Sequence, residues 1–369
     1  MAFWDREKKI SSIPLNQTDS SKEKEVAQRY LQTLVSRQII TGHRYGYIVG
    51  TVTVQPDGRR AVSGSADGTL KIWDLESGNE IATLLGHKGW VSKVLFTPDG
   101  RRAVSGSRDK TLIVWDLENG KELFNLAGHT DWVTTIKMTA DGLRVVSGSG
   151  DKTLKVWDLE SGRELVTLTG HTNWIADVDI TPDGRRIVSG SLDQTLKIWD
   201  LMNGREVATL AGHTNSVYGV AITPDSQRVV SGSSDKTLKV WDIQSGRELV
   251  TLIGHTDRAF TVALTPDGSK VVSGSHDKTL KVWDIESGRE LVTLVGHTDS
   301  ISTVALTPDG SKVISGSQDK TLKVWDLESG KIIADFNCGV PIDTCDYSHQ
   351  LDIIVAGDSV GQIHLFRFR

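Results

Sequence analysis

Along residues 87–128, apolar and polar side chains alternate in short bursts separated by turn residues. Val91, Val94 and Phe96 mark a first strand that ends at Pro98-Asp99-Gly100. Proline presets φ there and glycine accepts a positive φ. RRAVSGS reads as a second strand, and Arg108-Asp109-Lys110-Thr111 turns the chain. LIVWDL, rich in β-branched and aromatic residues, is a third strand. Glu118-Asn119-Gly120 makes a hairpin turn into a fourth, KELFNLAGH. Four antiparallel strands form one small twisted sheet, too small to bury both faces alone.

The pattern recurs. Trp-Asp occurs seven times at a step of 42 residues, from Trp73-Asp74 to Trp325-Asp326, and Gly-His keeps the same pitch from Gly86-His87 to Gly296-His297. A fixed period of this length signals one supersecondary unit stacked many times. Radial packing of such sheets covers their faces and leaves only short edges. Strand-to-turn sites stand near Pro56, Pro98, Ala140, Pro182, Pro224, Pro266 and Pro308. An eighth, degenerate copy follows in IDTCDYSHQLDIIVAGDSVGQIHLFRF, with Phe366 in the tryptophan place. It supplies three strands. SRQIITGH, Ser36 to His43, supplies a fourth from the other end of the chain. The expected architecture is therefore an all-β ring of eight sheets over residues 37–369, closed by that N-terminal strand, with seven sheets as the alternative. His43 lies 30 residues before Trp73, where the other histidines lie 28 before theirs. The two extra residues, within RYGYIVG, set it apart from the usual place.

Upstream, residues 20–36 are expected to form a short helix. Ser20 and Glu23 offer a capping box, and Val26, Tyr30, Leu31 and Leu34 lie on one face. Residues 1–19 are expected to be a flexible N-terminus.

Composition narrows the function. Net charge is −5, which gives no electrostatic reason to expect nucleic acid or an anionic membrane as partner. The charged start MAFWDREKKI lacks a signal-type apolar core, and no apolar run approaches a membrane span. With only Cys338 and Cys345 present, a soluble, cytoplasmic protein is the expectation, with the two as buried free thiols and a disulfide between them as the alternative; the chain is also expected to be monomeric.

The Gly-His…Trp-Asp unit, with S-G-S-x-D-K-T-L-K-V-W-D ahead of the tryptophan, resembles the WD40-repeat β-propeller family, and the near identity of the repeats is similar to bacterial WD-repeat regulatory proteins. The resemblance implies a structural tetrad in each blade. By spacing these are His87, Ser105, Asp109 and Trp115; His129, Ser147, Asp151 and Trp157; His171, Ser189, Asp193 and Trp199; His213, Ser231, Asp235 and Trp241; His255, Ser273, Asp277 and Trp283; and His297, Ser315, Asp319 and Trp325. Blade one keeps Ser63, Asp67 and Trp73, and blade eight keeps none, with Ala356 and Phe366 in place of serine and tryptophan.

In such a tetrad the tryptophan N–H serves the serine oxygen, the serine donates to one imidazole nitrogen, and the other ring N–H reaches the aspartate. A Ser/His/Asp set also invites a hydrolase reading. A triad needs a single exposed nucleophile beside an oxyanion hole, whereas here the set recurs six times. The histidines stand 42 residues apart in different blades, so zinc is not expected. Ser147 to Thr153 lacks phosphate-loop spacing and reads as a turn. The sequence thus predicts no enzyme, no cofactor and no metal site.

Function is sought where the repeats disagree. In related propellers three positions per blade build the top face. They lie three and five residues after the Gly-His histidine, and just before the turn aspartate. The first holds Trp90, Trp132, Trp174, Ser216, Arg258 and Ser300; the second Ser92, Thr134, Ala176, Tyr218, Phe260 and Ser302; the third Ala66, Arg108, Gly150, Leu192, Ser234, His276 and Gln318. An aromatic arc at the channel mouth is expected from Trp90, Trp132, Trp174, Tyr218, Arg258 and Phe260, with Arg108, Leu192 and His276 beside it. Trp, Tyr and Arg are the residues that most often carry binding hot spots. The expectation is a scaffold that binds a peptide or protein segment there. The alternatives are a regulatory module docking a separate effector through its N-terminal helix, and a small-molecule binder or enzyme using the central channel. Against the last, no convergent set of acids, bases or ligands unique to one blade is apparent.

Overall fold

A computed structural model of the chain describes residues 36–367. The expected flexible segment 1–19 and residues 20–35 of the expected helix lie outside these; Ser36, the last position of that helix, opens a β-strand. The described residues form eight four-stranded antiparallel sheets and no helix. Blade one runs through Val49–Val54, Arg60–Ser65, Thr69–Asp74 and Glu80–Leu85 in simple meander order. Blades two to seven repeat it. The eighth takes Ile342–Ser348, Ile353–Asp358 and Gln362–Arg367 from the C-terminal region, and Ser36–Thr41 pairs antiparallel with the last of these. Each first strand lies beside the first strand of the next blade, and the eighth lies beside the first. The eight-bladed β-propeller is closed by its N-terminal strand.

The core lies between blades. Val62, Leu70, Ile72 and Leu84 of blade one pack against Val91, Val94, Ala103 and Trp115 of blade two. The closing interface follows the same rule, with Trp73 of blade one against Ile353, Val355, Ile363 and Leu365 of blade eight. The seven Trp-Asp indoles are at most 2% exposed. They also explain the glycine of Gly-His, because a Cβ on Gly86 would lie 2.8 Å from the Trp115 ring. Phe366 fills the indole's place in blade eight and meets Phe336, with ring centroids 4.6 Å apart.

The innermost strands are sheet edges, and an edge presents unpaired N–H and C=O groups. Side chains of the preceding blade occupy several of them. Val220 and Ile222 donate their N–H to Asp177 (3.0 Å) and Asp179 (2.8 Å) of blade four, and Val54 donates to Asp346 of blade eight (2.8 Å). Ser92 and Thr134 donate to the carbonyls of Val133 and Ile175, each at 2.6 Å. These polar latches join neighbouring blades where apolar packing ends.

Candidate protein-binding face

In the interior, Trp115 Nε1 donates to Ser105 Oγ (2.8 Å), Ser105 Oγ lies 2.8 Å from His87 Nε2, and His87 Nδ1 lies 2.8 Å from Asp109 Oδ2. An ionised carboxylate only accepts, so His87 carries its proton on Nδ1 and Ser105 donates to Nε2. Asp109 also accepts from the Lys88 amide and from the Thr111 amide and hydroxyl. Burial alone raises its pKa, but the bonds from His87, Thr111 and Lys88 outweigh burial and hold the carboxyl well below the usual range. The same bonds recur in blades three to seven, from His129 to Trp325. Each serine has no solvent exposure. A nucleophile in that position, already receiving an indole N–H, has no route to substrate.

His43 is nonetheless buried beside Ser63, with Nε2 at 2.7 Å from its Oγ, and Trp73 donates to the same oxygen at 2.8 Å. Its Nδ1 turns to Thr69 (2.9 Å), leaving Asp67 at 3.5 Å. The two extra residues are taken up in the turn after His43, where Gly46 has φ 87° and Tyr45 stands exposed. Blade eight lacks the tetrad but carries another buried set. His364 Nε2 lies 2.9 Å from Asp358 Oδ2, and Arg37 of the closing strand donates to His364 Nδ1 at 3.0 Å. Arg37 also donates to the carbonyls of Asn337 (2.8 Å) and Cys338 (3.1 Å). Sequence reasoning missed this set because Asp358 and His364 occupy the places held elsewhere by the second serine and the lysine of the repeat. Cys338 and Cys345 are buried free thiols, raised by burial to about 11 and about 12.

On the face that carries the Gly-His loops, the second variable position sits on a β-bulge in every blade. Val91 pairs with Ser107 and Lys93 with Gly106, so Ser92 is the unpaired extra residue. The same shift brackets Tyr218, Phe260 and Ser302. Bulges re-aim side chains and are common beside functional sites. The register also assigns positions that the sequence reading left empty. Gly50 is the bulge residue of blade one, and Asp343 that of blade eight. Aligning IDTCDYS with VSKVLFT would have revealed Asp343.

The aromatic residues form two groups. In the first, the Arg108 guanidinium lies 3.8 Å from the Trp90 ring centroid and 4.6 Å from that of Trp132, and Trp132 meets Trp174 edge-on at 5.5 Å. Trp132 and Trp174 are each 37% exposed, a large fraction for indoles on a folded surface. Trp90 is half-buried and leans on blade one, where a Cβ at Gly50 would lie 2.4 Å from its Nε1. In the second group, Tyr218 meets Phe260 edge-on at 4.8 Å and Phe260 meets His276 at 4.3 Å. Half-buried Leu192 and the small Ala176 and Ser216 lie between the groups in sequence order around the ring. Arg258 is exposed at the start of the Phe260 strand. Asp343 accepts from Gln318 at 3.2 Å through one carboxylate oxygen, and burial raises its pKa.

Charged residues on the inner strands differ between blades. Lys137 pairs with Asp179 at 2.9 Å, while Asp177 and Asp346 have pKa values raised by burial. Their carboxylates accept from the next blade's backbone, which makes them structural latches. Open clefts of about 470, 230 and 560 Å³ lie on the opposite face among the Pro-Asp-Gly turns and their neighbours. Turn carboxylates there, such as Asp141 and Asp183, are held by Thr139 and Thr181. Among the described residues no group of three His, Cys, Asp or Glu is arranged to hold a metal ion, and no helix is long and apolar enough to cross a membrane.

Comparison with known proteins agrees with this architecture. The WD domain, G-beta repeat family matches residues 34–74, 78–116, 120–158, 162–200, 204–242 and 246–284. The TEP-1 C-terminal beta-propeller family matches residues 297–368. The crystal structure of a computationally designed protein, Ika8, superposes with a TM-score of 0.80 at 32% identity, covering 89% of this chain and 98% of that one. Curated proteins gave no match. The chain belongs to the WD40 repeat family. Propellers of this family generally mediate protein–protein interaction, commonly bind protein partners and are typically non-enzymatic scaffolds.

Proposed function

We propose that this protein is a non-catalytic scaffold that binds a peptide or protein segment across the face carrying Trp90, Trp132, Trp174, Tyr218, Phe260 and Arg258, with Arg108, Leu192 and His276 at its margins. The observation that carries this reading is the exposure of Trp132 and Trp174 in a chain of touching rings and cation, on otherwise uniform repeats. Aromatic anchors of this kind supply most of the energy of many interfaces. The arc is one-sided, since blades seven and one offer Ser300, Ser302, Gly50 and Ala66. An extended or helical segment suits that asymmetry better than a symmetric ligand.

Selection of short random peptides on the immobilised full chain tests the reading. Selected peptides are expected to protect the rim amides near Trp132 and Trp174 from hydrogen exchange. They are also expected to lose at least about tenfold in affinity when Trp90, Trp132 and Trp174 are changed together to Ala. Peptides that bind the triple variant as well as the parent would refute it.

A further inference from the structure

Arg108 is an unusual cation for a surface. Its guanidinium lies between two indoles, and its amide donates to the Trp90 carbonyl at 2.8 Å, which fixes the backbone beneath it. A guanidinium carries five N–H donors. Among the described residues no carboxylate, carbonyl or hydroxyl lies within hydrogen-bond reach of them. The adjacent acids are committed elsewhere. Asp109 points into the blade toward His87, Lys88 and Thr111, and Asp131 accepts from the Trp132 amide. Burial under the rings lowers the Arg108 pKa, the direction expected of a charge that has lost water without gaining a counter-ion. Stacking on aromatic faces holds the guanidinium and leaves its in-plane N–H fork free. Beside it, the Trp90 indole N–H is buried and has no acceptor among the described residues.

Across the arc, Arg258 is exposed; its amide donates to Asp257 and its carbonyl accepts from the His276 amide, and among the described residues its guanidinium has no hydrogen-bond partner. Of the variable positions, only Asp343 carries an acid, and Gln318 holds it on blade eight. Arg108 and Arg258 are the arginines of the aromatic side, and the carboxylates beside them, Asp131 and Asp257, each accept from a backbone amide through Oδ1.

We propose that Arg108, clamped between Trp90 and Trp132, receives a carboxylate of the docked segment, so that the partner is an acidic or carboxylate-ended peptide. A planar fork matches a carboxylate with two parallel N–H···O bonds. A single guanidinium also fits a singly charged group better than a doubly charged phosphate. The proposal rests on the reading of this face as the docking surface.

The test uses peptides selected on the full chain, each made in four forms: as selected, with its Asp and Glu changed to Asn and Gln, with its C-terminus amidated, and with Ser or Thr phosphorylated where present. Binding is measured to the parent, to Arg108→Gln, to Arg108→Lys and to the triple Trp variant, each shown to unfold at the parent temperature within about two degrees. On the parent, one carboxylate is expected to account for about a tenfold or greater gain, and the amidated arm tells a chain end from a side chain. In Arg108→Gln that gain is expected to vanish, with carboxylate and amide forms binding alike. Arg108→Lys is expected to restore only part of it. If peptides need the three Trp residues yet the carboxylate gain is unchanged in Arg108→Gln, this inference fails while the docking face stands. Independence from the Trp residues would remove the docking face itself. A preference for the phosphorylated form would also overturn the carboxylate assignment.

Discussion

His364 Nε2 lies 2.9 Å from Asp358 Oδ2, and neither side chain has any exposure to solvent. Arg37 completes the set from the other end of the chain, donating to His364 Nδ1 and to two carbonyls that end blade seven. One guanidinium therefore joins the closing strand, the final strand and the neighbouring blade. Arg37→Ala is expected to leave His364 without its donor and two carbonyls uncapped, at a cost of about 2–4 kcal/mol. Hydrogen exchange should then accelerate first in Ser36–Thr41 and Gln362–Arg367. Uniform acceleration around the ring would contradict this account.

Ser105 serves two partners at once, Trp115 and His87. Ser105→Ala strands a buried indole N–H and a buried imidazole nitrogen, at a cost of about 2–4 kcal/mol. Denaturant unfolding measures the loss. Thr at the same position restores a hydroxyl and should recover part of it.

Gly50 lets Trp90 lean over blade one. Gly50→Ala places a methyl group 2.4 Å from the indole nitrogen, so the ring must swing away. The expected result is a red shift in tryptophan emission, as Trp90 meets water, and weaker peptide binding with little change in unfolding temperature. Unchanged emission and binding would show that Trp90 is not held there.

Acid should destabilise the propeller over a wide range. Burial lowers the His297 pKa, opposed by Asp319, so the folded chain resists a proton that the unfolded chain takes up near pH 6.5. Stability therefore begins to fall as pH drops below about 6.5. The Thr307 hydroxyl, then the Ser311 hydroxyl and amide, lower Asp309 to about 2; the Thr265 and Ser269 counterparts do the same for Asp267. Carboxyls held low stabilise the fold above about pH 4, and that contribution is lost as pH falls through about 2. The melting temperature should fall continuously from pH 7 to 2, most steeply below 4. A flat profile from pH 6.5 to 3 would contradict the assignment.

The repeat made most of the fold readable. A 42-residue pitch carried blade number, strand order and the His/Ser/Asp/Trp spacing, because each unit meets the same neighbours. The blade-eight set was not readable, since His364 and Asp358 stand in places that elsewhere hold a lysine and a serine, and Arg37 lies 327 positions from its partner. Pairing at such distance leaves no local pattern. On the candidate face, spacing located Trp90, Trp132 and Trp174 but not the clamp on Arg108 or the seat at Gly50. Those depend on side-chain directions set by bulges and by the adjacent blade. Asp343 was hidden by the degenerate sequence around it.

Closure by the N-terminal strand has a consequence for biosynthesis. Ser36–Thr41 is translated ahead of the first blade, yet its pairing partner, Gln362–Arg367, follows only after the other seven blades. Seven blades can assemble in order during translation, each on the one before, while that strand waits without a mate. Joining the two strands is then the step that closes the ring, and a chain truncated before Gln362 would carry an open sheet edge, the kind of surface that chaperones shield and aggregation exploits.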